Sequence, residues 1–154
     1  MYVVILDKLT AIKVAEIFPK SFAVISISTP GDEPPKFPTN KSLKFLLPLS
    51  FYDIDPTSWK TPEWKESLKK YKDGIFSEEQ AKQIIKFVYE LEENGINILI
   101  VHCDAGVSRS AGVGAAIELI LNGSDKAVFN NRKFIPNRFV YRTIINTLYK
   151  MEGE

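Results

Sequence analysis

Ile96-Asn-Ile-Leu-Ile-Val-His-Cys-Asp-Ala-Gly-Val-Ser-Arg-Ser110 changes character twice within a few residues. Ile96 to Val101 is a short apolar run of the kind that forms a strand buried on both faces. His102 to Arg109 is compact and mostly polar, and Ser110 to Leu121 is a stretch of small and apolar residues that reads as a helix. The order is therefore strand, tight loop, helix N-terminus. A helix start gathers unpaired backbone N–H groups and the positive end of the macrodipole at one spot, which makes it an anion site. Curled between strand and helix, Cys103 to Arg109 would turn their N–H groups inward as a nest around a tetrahedral oxyanion. Gly106 supplies the unusual backbone angles such a curl needs.

This loop also holds the chain's only cysteine and only histidine, side by side. Thiols at a helix N-terminus beside a cation ionise more readily than free ones, and a thiolate at the bottom of a phosphate-shaped cup is a nucleophile aimed at phosphorus. Arg109 can hold two oxygens at once and stabilise the charge spread over them. Ser110 is placed to give the sulfur a hydrogen bond as it leaves. His102 is read as orienting the loop through backbone hydrogen bonds, not as a proton shuttle. Taken singly, a lone cysteine is more often a small buried hydrophobe. The weight comes from His, Gly and Ser in register between a strand and a helix.

On these residues the chain resembles the cysteine-dependent protein tyrosine phosphatase superfamily. Its signature His-Cys-(five residues)-Arg-Ser/Thr is matched by His102, Cys103, Arg109 and Ser110, and the loop as a whole is most similar to the compact dual-specificity-like branch. The resemblance implies phosphomonoester hydrolysis through a phosphocysteine, with a phosphoprotein or phosphopeptide as substrate. Cys103 would be the nucleophile and Ser110 its partner. The backbone N–H groups of Asp104, Ala105, Gly106, Val107, Ser108 and Arg109, with the Arg109 guanidinium, would hold the phosphoryl oxygens. It also implies a proton-donating aspartate on a loop after an upstream strand, serving first as acid and then as base.

Three carboxylates compete for that role. Asp73 lies thirty positions before Cys103, a common spacing in small dual-specificity enzymes, but it also reads as a turn residue ahead of a capped helix. Asp53 and Asp55 lie in Phe51-Tyr-Asp-Ile-Asp-Pro56, just after a strand pattern, where Phe51 to Ile54 resembles the Phe-x-Asp-Ile element of compact microbial members and matches its aspartate to Asp53. Strand context outweighs residue count, because loops tolerate insertion cheaply, so Asp53 is preferred. Each of the three can also be read as a plain surface turn carboxylate.

The whole chain sets bounds. Its 154 residues suit one domain, residues 1–154, and 45% apolar with 25% charged residues is ordinary composition. A net charge of +1 favours neither nucleic acid nor membranes as partners. One cysteine rules out an internal disulfide framework and fits a reducing, cytoplasmic setting. Tyr2 to Leu6 is too short for a signal h-region or a membrane span. With so few Cys and His residues no zinc site is expected, and no cofactor is called for. Oligomeric state is not written in the sequence.

Strand patterns at Tyr2–Leu6, Phe22–Ile27 and Leu43–Leu49 precede the loop strand. Leu9, Ile12 and Ile17 suggest a short amphipathic helix ending near Pro19. Thr29 to Thr39 is rich in proline and reads as a surface loop. Ser77-Glu-Glu-Gln80 is a capping box opening a helix with Ala81, Ile84, Ile85, Val88 and Leu91 inward, closed by Asn94-Gly95. Pro136-Asn137 starts a last helix with Val140, Ile144, Ile145 and Leu148 inward. Alternating strands and helices argue for an α/β fold: a single central, mostly parallel sheet flanked by helices, with the loop at a strand's carboxyl end.

Phe51 to Phe76 reads as irregular. Its Trp59, Trp64 and Tyr71 form either a lid over the cleft or flank packing. Asn137 is either a brace for the catalytic loop or only an N-cap, and Asn130 to Lys133 is a solvated polar turn. Three rival functions remain. Phosphoinositide and RNA 5′-triphosphate hydrolases should carry more basic residues than Asp104, Ala105, Val107 and Ser108 offer. A non-catalytic phosphopeptide binder should have lost the nucleophile, the arginine or the acid.

Overall fold

The computed structural model describes residues 1–58 and 61–153, so Trp59 lies outside the described residues. Four strands form one sheet: β1 (Tyr2–Asp7), β2 (Phe22–Ser28), β3 (Leu43–Ser50) and β4 (Ile98–Cys103), in the order β1-β4-β2-β3. Every pairing is parallel, where the sequence predicts a mostly parallel sheet. β2 and β4 take the centre. That suits their composition, since β2 is buried along its whole length and β4 nearly so. Pro48, which lacks an N–H to donate, sits within β3 at the edge.

Side-chain alternation sorts the core into two layers. Phe22, Val24 and Ile100 pack with Ala11 and Ala15 of α1 (Lys8–Ile17) on one face. Ala23, Ile25, Ile27, Leu99 and Val101 face α3 (Glu78–Glu93), α4 (Arg109–Asn122) and α6 (Arg138–Glu152). Burying each large apolar side chain contributes roughly 1.5–3 kcal/mol, so this second, larger layer dominates stability. The capping box at Ser77 is formed in both directions, and the five apolar residues predicted inward on α3 are buried. In α4, Gly112 allows a close crossing: a Cβ there would lie 2.7 Å from Asn137 O.

Two elements differ from the sequence reading. In α1 the predicted inward residues Leu9 and Ile17 are 67% and 78% exposed, and Ala11 and Ala15 are buried instead. The N-cap explains this: Asp7 accepts from Thr10 N–H at 3.0 Å, which fixes the rotation of the helix, and small alanines let it lie close on the sheet. The stretch from Phe51 to Phe76, read as irregular, contains α2 (Pro62–Tyr71). Thr61 caps it, Pro62 starts it, and Lys69 and Lys70 sit in its last turn, all favourable end signals. Its apolar stripe, Trp64, Leu68 and Tyr71, is short and only half-buried, and no residue of the helix is fully buried. A single-turn α5 (Lys126–Phe129) was likewise not anticipated.

The parallel sheet delivers four carboxyl ends to one edge. Asp7 pairs with Cys103 across β1 and β4, Ser26 with His102 across β2 and β4, and Ser28 with Ser50 across β2 and β3. The loops that follow are all brought to the Cys103 segment. Among the described residues no helix is long and apolar enough to cross a membrane.

Candidate active site

Cys103 ends β4 and Arg109 begins α4, so the loop between them is anchored at both ends by regular structure. Its carbonyls are tied outward. Cys103 O accepts from His102 Nδ1 at 3.0 Å, Asp104 O from Lys8 N–H at 3.2 Å, and Val107 O from Ile135 N–H at 3.0 Å. Ser108 O accepts from Asn137 N–H at 3.0 Å and from Gly112 N–H at 2.9 Å. In a trans peptide the N–H points opposite to the C=O. Holding these four carbonyls outward therefore aims the N–H groups of Asp104, Ala105, Ser108 and Arg109 into the loop. Gly106 N–H also points in, to Cys103 Sγ at 3.3 Å. Gly106 has φ of +70°, and a Cβ there would come within 2.6 Å of Asp7 N and Leu6 C. Only glycine fits.

The Cys103 sulfur lies at the bottom of this ring, 3% exposed and 3.1 Å from Ser110 Oγ. Arg109 is nearly buried and donates from Nη1 to Phe51 O and Thr29 Oγ1, both at 2.9 Å, and from Nη2 to Asp104 Oδ2 at 3.2 Å. A guanidinium has five N–H donors. These three bonds use both hydrogens of Nη1 and one of Nη2, leaving Nε–H and the second Nη2–H. Those two form a parallel fork, the geometry that binds two oxygens of one phosphate.

His102 is fully buried. A carbonyl can only accept, so Nδ1 carries the proton donated to Cys103 O. Nε2 then accepts from Ser26 Oγ–H at 2.7 Å in the neutral ring. Burial, the largest influence, holds the His102 pKa below its ordinary value of 6.5. Both nitrogens are engaged in structure, which leaves the imidazole no proton to exchange with a ligand.

The three carboxylate candidates separate clearly. Asp53 Oδ1 accepts from Ser108 Oγ at 2.7 Å and from Asn137 Nδ2 at 2.9 Å, which places the carboxyl against the loop. It shares with Ser108, Pro136 and Asn137 an open cleft of about 320 Å³. Asp55 instead accepts from Thr57 N–H at 2.9 Å and faces Arg142 Nη2 at 3.5 Å. Burial pushes its pKa up, but the hydrogen bonds from Thr57 and Ser58 and the Arg142 charge together bring it below the ordinary value. Asp73 is exposed in the short 3-10 turn Lys72–Gly74, with no described hydrogen bond to the loop.

Several contributors carried no sequence signal. Thr29, Ser26, the Phe51 carbonyl and the amides of Lys8 and Ile135 all support the loop through contacts between residues far apart in the chain. Asn137 is the N-cap of α6, its Oδ1 accepting from Val140 N–H at 3.1 Å; its tie to the loop is the backbone N–H to Ser108 O, while Nδ2 also reaches Ile54 O at 3.2 Å. Trp64 and Tyr71 line a second open cleft of about 390 Å³ with Tyr52, Asp53 and Ile54. Asn131 and Lys133 line another of about 330 Å³ beside Ala105, Gly106 and Val107.

No protein-family model matches the chain, and no curated protein matches it by sequence. Solved structures do match it in fold. Human tyrosine phosphatase-like serine/threonine/tyrosine-interacting protein superposes with a TM-score of 0.56 at 18% identity, covering 94% of this chain and 85% of that one. Human DUSP28 gives 0.57 at 14% identity, over 98% and 94% of the two chains. PTPMT1 in complex with PI(5)P gives 0.54 at 14% identity, over 96% and 91%. The chain thus shares the α/β fold of these tyrosine phosphatase-like structures.

Proposed function

We propose that this protein is a phosphatase that hydrolyses phosphomonoesters on proteins, phosphotyrosine included, through a covalent phosphocysteine. The observation that carries this is the position of Cys103 Sγ, beneath a ring of inward N–H groups and beside an arginine with one parallel donor pair to spare. A phosphate seated there would have its phosphorus facing sulfur and its charge met by fixed dipoles that need no reorganisation.

In the first step the Cys103 thiolate attacks phosphorus in line. The S–P bond forms as the P–O bond to the substrate breaks, and Asp53 gives its proton to the departing oxygen. In the second step water attacks phosphorus, Asp53 takes the water's proton, the S–P bond breaks and inorganic phosphate leaves. The Ser110 hydroxyl donates to the departing sulfur. Arg109 and the loop amides hold the phosphoryl oxygens throughout, and Asn137 keeps Asp53 against the loop.

Turnover of para-nitrophenyl phosphate by the reduced protein tests this reading. The expected result is steady hydrolysis that Cys103→Ser abolishes while affinity for inorganic phosphate survives. Absence of turnover between about pH 5 and 8 with phosphate binding intact would make the chain a phosphate-binding module instead. The fold similarity to PTPMT1, seen with PI(5)P, makes a phosphoinositide the second substrate to assay.

A further inference from the structure

The first residue after the nucleophile closes a ring of hydrogen bonds around the arginine. Arg109 Nη2 donates to Asp104 Oδ2 at 3.2 Å, Thr29 Oγ1 donates to the same oxygen at 3.2 Å, and Arg109 Nη1 donates to Thr29 Oγ1 at 2.9 Å. Arg109 is 8% exposed at its side chain, whereas the Asp104 side chain is 48% exposed. One end of this ion pair is thus fixed in the protein, and the other presents a carboxylate to solvent at the rim of the cup. The ring holds that carboxylate where it is, so it cannot swing aside at little cost when a ligand arrives.

We propose that Asp104 makes this site selective for a solitary phosphate, disfavouring ligands that carry a second phosphate close to the one being bound. This rests on the reading of the Cys103 loop as a phosphate site. The selectivity is electrostatic. The bound phosphate is held by Arg109 and the amides below it, but a neighbouring phosphate would stand at the rim, near a fixed negative charge and short of the buried guanidinium. Unit charges a few ångströms apart near a protein surface interact strongly enough to change affinity by about tenfold or more, and like charge set against an unwanted ligand is a direct route to specificity. The favoured substrate class is then a singly phosphorylated protein segment. Bisphosphorylated peptides and inositol lipids with adjacent phosphates are disfavoured.

The test compares one peptide phosphorylated on a single tyrosine with the same peptide carrying a second phosphate two residues away. Wild type, Asp104→Asn and Asp104→Lys are assayed for kcat/KM, with binding to the Cys103→Ser forms measured alongside. Wild type is expected to prefer the singly phosphorylated peptide by about tenfold, a preference that shrinks between about 0.05 M and 0.5 M salt. Asp104→Asn, which keeps the shape and an acceptor for Thr29, should bring the ratio near unity, and Asp104→Lys should invert it. A merely structural role would alter both peptides equally and leave the ratio and its salt dependence unchanged. Equal handling of the two peptides by wild type, or an unchanged ratio in Asp104→Asn, overturns the proposal while leaving phosphatase activity standing. Loss of the underlying reading looks different: neither peptide nor inorganic phosphate would bind.

Discussion

Asn137 Nδ2 lies 2.9 Å from Asp53 Oδ1, while the Asn137 backbone N–H donates to Ser108 O at 3.0 Å. One residue therefore joins the candidate acid to the candidate phosphate loop and caps α6 as well. Asn137→Ser keeps an N-cap acceptor but loses the amide donor, whereas Asn137→Ala loses both. Misplacing a catalytic group by an ångström costs up to about a hundredfold, so kcat should fall at least about tenfold in both variants. Stability should fall by about 1 kcal/mol more in Asn137→Ala, the usual worth of an N-cap. Steady-state kinetics beside urea unfolding separates the two effects, and wild-type kcat in Asn137→Ser would rule out the positioning role.

His102 ties pH to stability. Its folded pKa lies below 6.5 because the ring is buried, so near and below that pH the unfolded chain binds the proton more readily. Stability rises with pH wherever the unfolded state binds more protons. The contribution is therefore complete above about pH 6.5 and lost as acidity carries the pH down through the folded pKa. Urea titrations across this range should show a decline in wild type that is reduced in His102→Gln, whatever the overall stability of that variant. Parallel curves would show that His102 is not the group responsible.

Gly106→Ala should ruin the cup without unfolding the protein. The added methyl meets the backbone of Leu6 and Asp7, and a left-handed backbone costs a non-glycine residue about 1–2 kcal/mol. Calorimetric titration with inorganic phosphate should show affinity reduced by more than about tenfold, equivalent to about 1.4 kcal/mol. Wild-type affinity would mean that the loop amides are not the binding surface.

Asp53 and Asp55 should part company on poor leaving groups. Asp53→Asn should lower kcat/KM, which reports the first step, by about 10²–10⁴ on alkyl phosphates, and far less on para-nitrophenyl phosphate, whose phenolate leaves without a proton. Asp55→Asn should keep chemistry near wild type and weaken its own ties to Thr57 and Arg142. Comparing the two substrates for each variant checks this, and the reverse pattern would move the acid to Asp55.

The shape of the Cys103–Arg109 loop could be read from sequence because it is local: strand, glycine-hinged turn and helix start are consecutive. The buried stripes of α3 and α6 were legible for the same reason, as 3.6-residue periodicity states which face is inward. α2 was not, because it is short and buries no side chain fully. Its signal lay in the start Thr61-Pro62-Glu63 and in a stripe of only three half-buried residues, Trp64, Leu68 and Tyr71. The rotation of α1 was decided by the Asp7 cap and the small size of Ala11 and Ala15, which outweighed the hydrophobicity of Leu9 and Ile17. Thr29, Ser26 and the Phe51 carbonyl were invisible because each reaches the site through sheet register. That the Asp53 carboxyl lies against the loop, by contrast, followed from its place after β3.

The most direct test is to quench the reduced protein during turnover of para-nitrophenyl phosphate and locate the covalent phosphate by peptide mass spectrometry. Phosphate should be found on the peptide containing Cys103, enriched in Asp53→Asn, where the second step lacks its base, and absent from Cys103→Ser. Turnover that proceeds with Cys103 unmodified and survives Cys103→Ser would contradict this account.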